Sequence, residues 1–336
     1  MSGFHANIQG VPVEFDGYDL IGDVHGCARS LQQLLQLLGY RLRNGCYRHP
    51  SRQVVFIGDI VDRGTAVRES LQLVRSMVEQ GSAQLLIGNH EYNCITYCEP
   101  ARAGSGRSYL REHHPRHELQ IRETLQQMDP YPQEWQDYLC WFRQLPLYLE
   151  FPHFRAVHAC WDQAAIEQLK ARGINDFSDS DFLHRSVELG CFEWQVADRL
   201  LRGTQLKLPN GAQMQTAEGF SRHLYRTKFW VADPQCHADV VFQPDPLPAH
   251  LARQALTGAE RKRLLHYGSE QLPLFIGHYW RQGQPQPITD NIVCLDYSAV
   301  KSGKLVAYRM DRETRLDPAK FVWVEVDPAD ICEQGD

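Results

Sequence analysis

A chain of 336 residues, 43% hydrophobic and 23% charged, has the size and composition of one large α/β domain or of a domain with a cap. A net charge of −6 supplies no basic footprint for a nucleic-acid polymer, and ten scattered cysteines, none in a CxxC pair, argue against a disulfide framework or zinc ribbon and for a cytoplasmic setting. The opening MSGFHANIQG has neither a basic nor a long apolar run, so no signal peptide or membrane span is expected.

Residues 1–17 read as a short leader with an edge strand at 11–15. The apolar run YDLI (18–21) reads as a buried strand, turned by glycine into GDVHG (22–26). A helix over 30–38 follows, with a stripe of Leu31, Leu34, Leu35 and Leu38 stopped by Gly39. The unit repeats with VVFI (54–57), GDIVDRG (58–64) and a helix over 67–78 carrying Leu71, Val74 and Val78. A third run, QLLI (84–87), leads into GNHE (88–91). Strand, polar motif and helix in alternation predict parallel strands in βαβ units. Past residue 92 the character changes. Helices are expected over 117–128 and 134–144, strands over 147–151 and 154–157, and a mostly helical, polar stretch over 162–270. Strands resume at 274–276, 292–295, 305–309 and 322–326. The segments 92–145 and 162–270 are read as insertions that wall the cleft of a single domain, 1–336.

The three early motifs place Asp, His or Asn directly after a strand, and VHAC (157–160) and IGHY (276–279) place His158 and His278 likewise. Parallel neighbouring strands bring such residues to one end of a sheet, which is how a two-metal hydrolytic centre can be assembled. Asp23 and His25 are two apart on a turn and can face one ion, and the carboxylate of Asp59 has two oxygens with which to bridge two. The mixed nitrogen and oxygen donors, without thiolate, suit Mn²⁺ foremost, with Fe, Zn²⁺ or Ni²⁺ admitted.

GDxHG, GDxVDRG and GNHE, in this order and spacing, resemble the calcineurin-like metallophosphoesterases, and within them the bacterial phosphoprotein-phosphatase branch. The stretch 291–309 looks like the closing β-hairpin of that branch, although Asp296, Tyr297 and Ser298 stand where Asp-Thr-Gly is usual. The resemblance implies an α/β sandwich of four layers, with two mixed sheets flanked by helices. It implies that Asp23, His25 and Asp59 hold one divalent ion and that Asp59, Asn89, His158 and His278 hold a second. It implies that the ions activate a water for in-line attack on phosphorus, that His90 protonates the leaving group with Asp62 supporting it, and that Arg63 clamps the phosphate. Arg202, Arg226, Lys228, Tyr279 and Arg281 are candidates for further substrate contacts. The expected substrate is a phosphorylated protein or another phosphomonoester. The alternative is a dinucleoside polyphosphate or other nucleotide. A metal-free binding protein would have shed ligands, and none of the six is missing.

Other features have plainer readings. Glu91 is expected to support the helix after GNHE, Cys27 to be unreactive, and Cys94 and Cys98 to be small hydrophobes on one helix face. His113, His114 and His117 are expected in a polar loop rather than on a metal, and Trp230 with Tyr279 and Trp280 could line a pocket.

Overall fold

The computed structural model describes residues 15–215, 221–242, 247–301 and 303–332. All of the expected edge strand except Phe15 lies outside the described residues. The three motif-bearing runs become parallel neighbours: β1 (Gly17–Ile21) pairs with β2 (Arg52–Phe56), and β2 with β3 (Ala83–Leu85). A second set comprises β4 (Tyr148–Glu150), β5 (Arg155–Val157), β6 (Leu274–Ile276) and β7 (Ile292–Cys294), in the order β7-β6-β5-β4. The chain then crosses to the first sheet as β8 (Asp296–Tyr297), β9 (Lys304–Met310) and β10 (Phe321–Glu325), giving six strands with β9 antiparallel to β1.

Side-chain alternation along these strands decides the layering. Leu20, Val55, Phe275, Ala156, Val293, Val306 and Tyr308 interlock between the two sheets. Their neighbours Ile21, Val54, Phe56, Leu274, Ile276 and Ile292 join the larger core that includes Leu31, Leu34, Leu71 and Val74 of the helices α1 (Ala28–Leu37) and α2 (Val67–Glu79). A strand buried on both faces must be apolar throughout, which is why these runs are continuous rather than alternating. Deleting one interlocked ring, as in Phe275→Ala, would cost about 3–5 kcal/mol.

Three expectations change. The stretch 291–309 is not one hairpin. Ile292–Cys294 belongs to the second sheet and only Asp296–Tyr297 pairs with β9, because Leu295, tied through its N–H to Ile276 O at 2.8 Å, packs between the sheets where the chain crosses. Helix α3 (Asn89–Cys98) begins within the third motif, and α4 (Pro115–Met128) and α5 (Pro132–Arg143) start two residues before expectation, each with proline in its first turn, where the fixed φ suits a helix start and the missing N–H costs nothing. The stretch 162–270 carries helices longer than one turn only up to residue 202, as α6 (Gln163–Arg172), α7 (Ser180–Arg185) and α8 (Phe192–Arg202). Beyond Gly203 it forms short pairings such as Gln205–Lys207 with Leu224–Arg226, and single-turn helices, around a small core of Leu206, Leu208, Tyr225, Val240 and Val241. Pro209, Asn210 and Gly211 interrupt the chain there before a helix can propagate. Among the described residues no helix is long and apolar enough to cross a membrane.

Candidate metal centre

Because β1, β2 and β3 are parallel, their motifs emerge at one end of the first sheet, and parallel β5 and β6 bring His158 and His278 to the same place from the second. The junction is tied by Gly277 N–H to His158 O at 2.9 Å and by Val24 and His25 N–H to Asp59 O at 3.0 and 2.9 Å. Several candidates sit in the left-handed region: His25 at φ 47°, Asp59 at 55°, Asp62 at 69°, Arg63 at 70° and His278 at 58°. Such conformations cost on the order of 1–3 kcal/mol each and persist where the surroundings over-determine them. Two glycines permit close approach. A Cβ on Gly88 would stand 2.2 Å from Asp59 Oδ1, and one on Gly277 would stand 2.1 Å from Asp23 Oδ1.

The donor atoms converge in two overlapping groups, His25 with Asp59 and His90, and Asp59 with His158 and His278, each within 4.8 Å. Asp59 is common to both. Its Oδ2 lies 3.8 Å from His25 Nε2 and 3.3 Å from His158 Nε2, and its Oδ1 accepts from His90 N–H at 2.9 Å. His25 Nδ1 donates to Val61 O at 2.9 Å and His158 Nδ1 to Ile57 O at 2.8 Å, which aims both Nε2 atoms inward, where a neutral ring offers a cation its lone pair. Asn89 Oδ1 is 3.1 Å from His158 Nε2, and Asp23 Oδ2 is 4.0 Å from His25 Nε2. Asp23 Oδ1 and His278 Nε2 are buried without any hydrogen-bond partner. Orphaned buried donors of these types, gathered around one shared carboxylate, fit a pair of divalent cations.

The electrostatics show the same crowding. Burial, with Asp296 and Asp59 nearby, pushes the Asp23 carboxyl well above its usual range. Burial, Arg63 and His90 push His25 well down, and burial, Arg226 and His158 do the same to His278. Burial works against a charged His158, yet the Asp59 carboxylate and its hydrogen bond push that imidazole up to about 10. Bound cations would replace the proton that this pairing favours.

His90 belongs to the first of these groups, its Nε2 3.9 Å from Asp59 Oδ2. Its Nδ1–H donates to Asp62 Oδ2 at 2.5 Å, so Nε2 is the free ring nitrogen, and Arg63 Nη2 donates to it at 3.1 Å. Asp62 is fixed in turn by Thr124 of α4, whose hydroxyl accepts from Asp62 N–H at 2.9 Å and donates to Asp62 Oδ1. Nothing in the sequence singles out Thr124, a lone threonine on an inserted helix. Glu91 also does more than support its helix. Its carboxylate accepts from Gly88 and Asp59 N–H at 2.9 Å each and from Ile60 N–H at 2.8 Å, so it fastens the third motif to the second. Asp296, which the sequence marks only as part of the Asp-Tyr-Ser stretch, is buried and near enough to Asp23 to push its carboxyl up.

The further substrate candidates separate. Arg202 Nη2 donates to Asn93 Oδ1 at 3.0 Å, one helical turn beyond Asn89, and Arg226 Nη1 donates to His278 O at 3.0 Å. Arg281 lies near Asp296 and Tyr297, its N–H bonded to Asp296 O at 2.8 Å. Tyr279 is fully buried, its hydroxyl donating to Thr227 O at 3.1 Å and its ring packed against Phe242 and the half-buried Trp230, so Tyr279 is core. Lys228 lines a cavity of about 250 Å³ with Asp233, Arg261 and His266, none of them a metal candidate. His113 stacks between Tyr97 and Tyr109, while His114 caps α4 and His117 donates to Glu112 O. Cys27 is buried with its thiol pushed up by burial, and Cys94 is likewise a buried small side chain.

A sequence profile described as calcineurin-like phosphoesterase matches residues 19–188, about half of the chain. A bis(5'-nucleosyl)-tetraphosphatase of the asymmetrical type from Oceanobacillus iheyensis is 48% identical over 73 residues, 21% of this chain and 29% of that protein. Its Bacillus subtilis counterpart is 40% identical over 74 residues, 22% of this chain and 30% of its own length. The chain thus spans less than a third of these relatives. A protein serine/threonine phosphatase structure from Saccharomyces cerevisiae superposes with a TM-score of 0.50 at 13% identity, over 96% of this chain and 82% of the other, a likeness of fold.

Proposed function

The chain belongs to the calcineurin-like phosphoesterases, and on that premise we propose that it is a metal-dependent phosphoester hydrolase. Asp23, His25 and Asp59 would hold one divalent cation and Asp59, Asn89, His158 and His278 the other. Mn²⁺ is the first choice for this donor set. The pair, when bound, supplies an acidified water and offsets phosphate charge. The protein's own groups do the rest. Arg63 offers a planar fork to the phosphate oxygens. Arg63 Nη2 lies 3.1 Å from His90 Nε2, so an Arg63 that turned to a phosphate would release that nitrogen. His90, held by Asp62 at 2.5 Å, would then carry a proton on Nε2 and deliver it to the departing oxygen. The observation that carries the reading is Asp59, common to both donor groups, beside two orphaned donors, Asp23 Oδ1 and His278 Nε2. Chelation should abolish hydrolysis of an aryl phosphate and Mn²⁺ should restore it. Full activity in protein verified free of metal would overturn the proposal.

For the substrate, a phosphoserine- or phosphothreonine-type monoester is the first reading. It is supported by GDIVDRG and GNHE, the motifs that resemble the phosphoprotein-phosphatase branch, with Glu91 ending the third. A dinucleoside polyphosphate is the second, favoured by the 73-residue match to the tetraphosphatase. Specificity constants for phosphopeptides against dinucleoside tetraphosphate, measured on one Mn²⁺-loaded sample, decide between them. We also read the chain as a single catalytic domain in which segments 92–145 and 162–270 wall the cleft. Thr124 and the Arg226 bond to His278 support this.

A further inference from the structure

The C-terminal segment 327–331 touches the metal-centre loops from behind, and the centre's chemistry gives it no part. Helix α1 begins directly after the Asp23–His25 turn, but its N-cap residue Cys27 makes no side-chain capping bond and its first turn has no acidic residue. The cap comes from Asp330, about 300 residues away and fully buried. Asp330 Oδ2 accepts from Ser30 N–H at 2.8 Å and from the Ser30 hydroxyl at 2.7 Å, and Oδ1 accepts from Arg29 N–H at 3.3 Å. These are first-turn donors with no partner inside the helix, and a carboxylate there is favoured by the helix dipole as well. Ser30 Oγ also accepts from Asp327 N–H at 2.9 Å.

The same segment grips the second motif. Thr65 N–H donates to Asp330 O at 3.1 Å, the Thr65 hydroxyl donates to Ala329 O at 2.6 Å, and Gly64 forms an antiparallel bridge with Ile331. Gly64 directly follows Asp62 and Arg63, two consecutive residues with left-handed backbone, and its own Cβ position lies 2.2 Å from His25 O. Val326 and Ile331 pack with Cys27 and Ala299 to seal the contact. Two consecutive left-handed residues need external bonds to hold them, and this segment supplies several.

We propose that residues 327–331 form a strap joining the Asp23–His25 turn to the Asp62–Arg63 turn, and that Asp330 is the positioning residue which sets His25 against Arg63. The strap acts through the turns and touches no substrate. Its role rests on the metal-centre reading above, but its grip on the backbone does not, so the test keeps the two apart.

Asp330→Ala should speed amide hydrogen exchange in metal-free protein over residues 26–31 and 62–66, on the order of fivefold. In the same variant Mn²⁺ affinity, read by chelator competition, should fall roughly tenfold, and KM for an aryl phosphate should rise through the displaced Arg63. Asp330→Asn keeps one acceptor oxygen and should fall between. Asp317→Ala removes a comparable cap on Ala319 N–H elsewhere in the C-terminal region and should change none of these readings. If Asp330→Ala does not fold, Thr65→Val removes only the hydroxyl bond to Ala329 O, and should still raise KM about two- to threefold and speed exchange over 62–66. Unchanged exchange, Mn²⁺ affinity and KM in folded Asp330→Ala, or in Thr65→Val, would overturn the strap. Wild-type protein that binds no Mn²⁺ would instead remove the metal-centre reading, with the exchange measurement still deciding the strap.

Discussion

The sheet ends and the segment following Gly203 hold their polar groups by different means. At the sheet ends the candidate ligands leave apolar strands that are buried on both faces, and three of them are pinned by a backbone partner: Val61 O for His25, Ile57 O for His158, His90 N–H for Asp59. The inserted segment has a separate small core and short pairings, and among the described residues its bond to a candidate ligand goes from Arg226 to the backbone oxygen of His278. The contrast teaches that rigid strand ends set the reacting groups, while the insertion steadies them from outside. Substitutions should therefore lose effect in the order of their distance from the strand ends.

The strongest test is at the shared carboxylate. Asp59→Asn should empty both metal positions and reduce hydrolysis to background, with metal content by elemental analysis as the readout. Retention of two ions would break the idea of a bridge. Next comes His90→Asn, which should keep both ions and lose rate by about 10²–10⁴-fold. The loss should be smaller for p-nitrophenyl phosphate, whose leaving group needs no proton, than for a phosphopeptide. Asp62→Asn should repeat this pattern more mildly, since it orients His90 and supports its charge. Equal losses on the two substrates would take His90 out of the acid role.

On the insertion side, Arg226→Ala frees the carbonyl of His278 and should weaken Mn²⁺ binding roughly tenfold in chelator competition. Unchanged affinity would make this segment a bystander to the centre. The smallest effect is expected for Tyr279→Phe. It removes the hydroxyl bond to Thr227 O and should cost about 1 kcal/mol in denaturant unfolding, with KM unaltered. A raised KM at unchanged stability would return Tyr279 to the cleft and blur the contrast between the two regions.

Legibility in the sequence follows the same divide. The strands before GDVHG, GDIVDRG and GNHE are readable because a segment buried on both faces must be apolar and because glycine marks the turn after it. The helices over 28–37 and 67–79 announce themselves by their leucine and valine stripes. The segment after Gly203 has no such local signal. Its polar residues follow no strict period, and its short pairings are stabilised by one another rather than by local propensity.

By itself, then, the sequence determined the donor types, their order and their place just after apolar strands, since hydropathy and turn chemistry are local properties. The pairing of Asp62 with His90 comes from the resemblance of the motifs to a known family rather than from the residues alone. Only the tertiary structure decided which groups meet. It turned Tyr279 into the core, set Lys228 beside a separate cavity, brought Thr124 under Asp62 and laid Asp330 across the start of α1. Those contacts join residues that lie far apart in the chain, and no local pattern encodes a pairing that comes into being when two sheets close on each other and their loops meet.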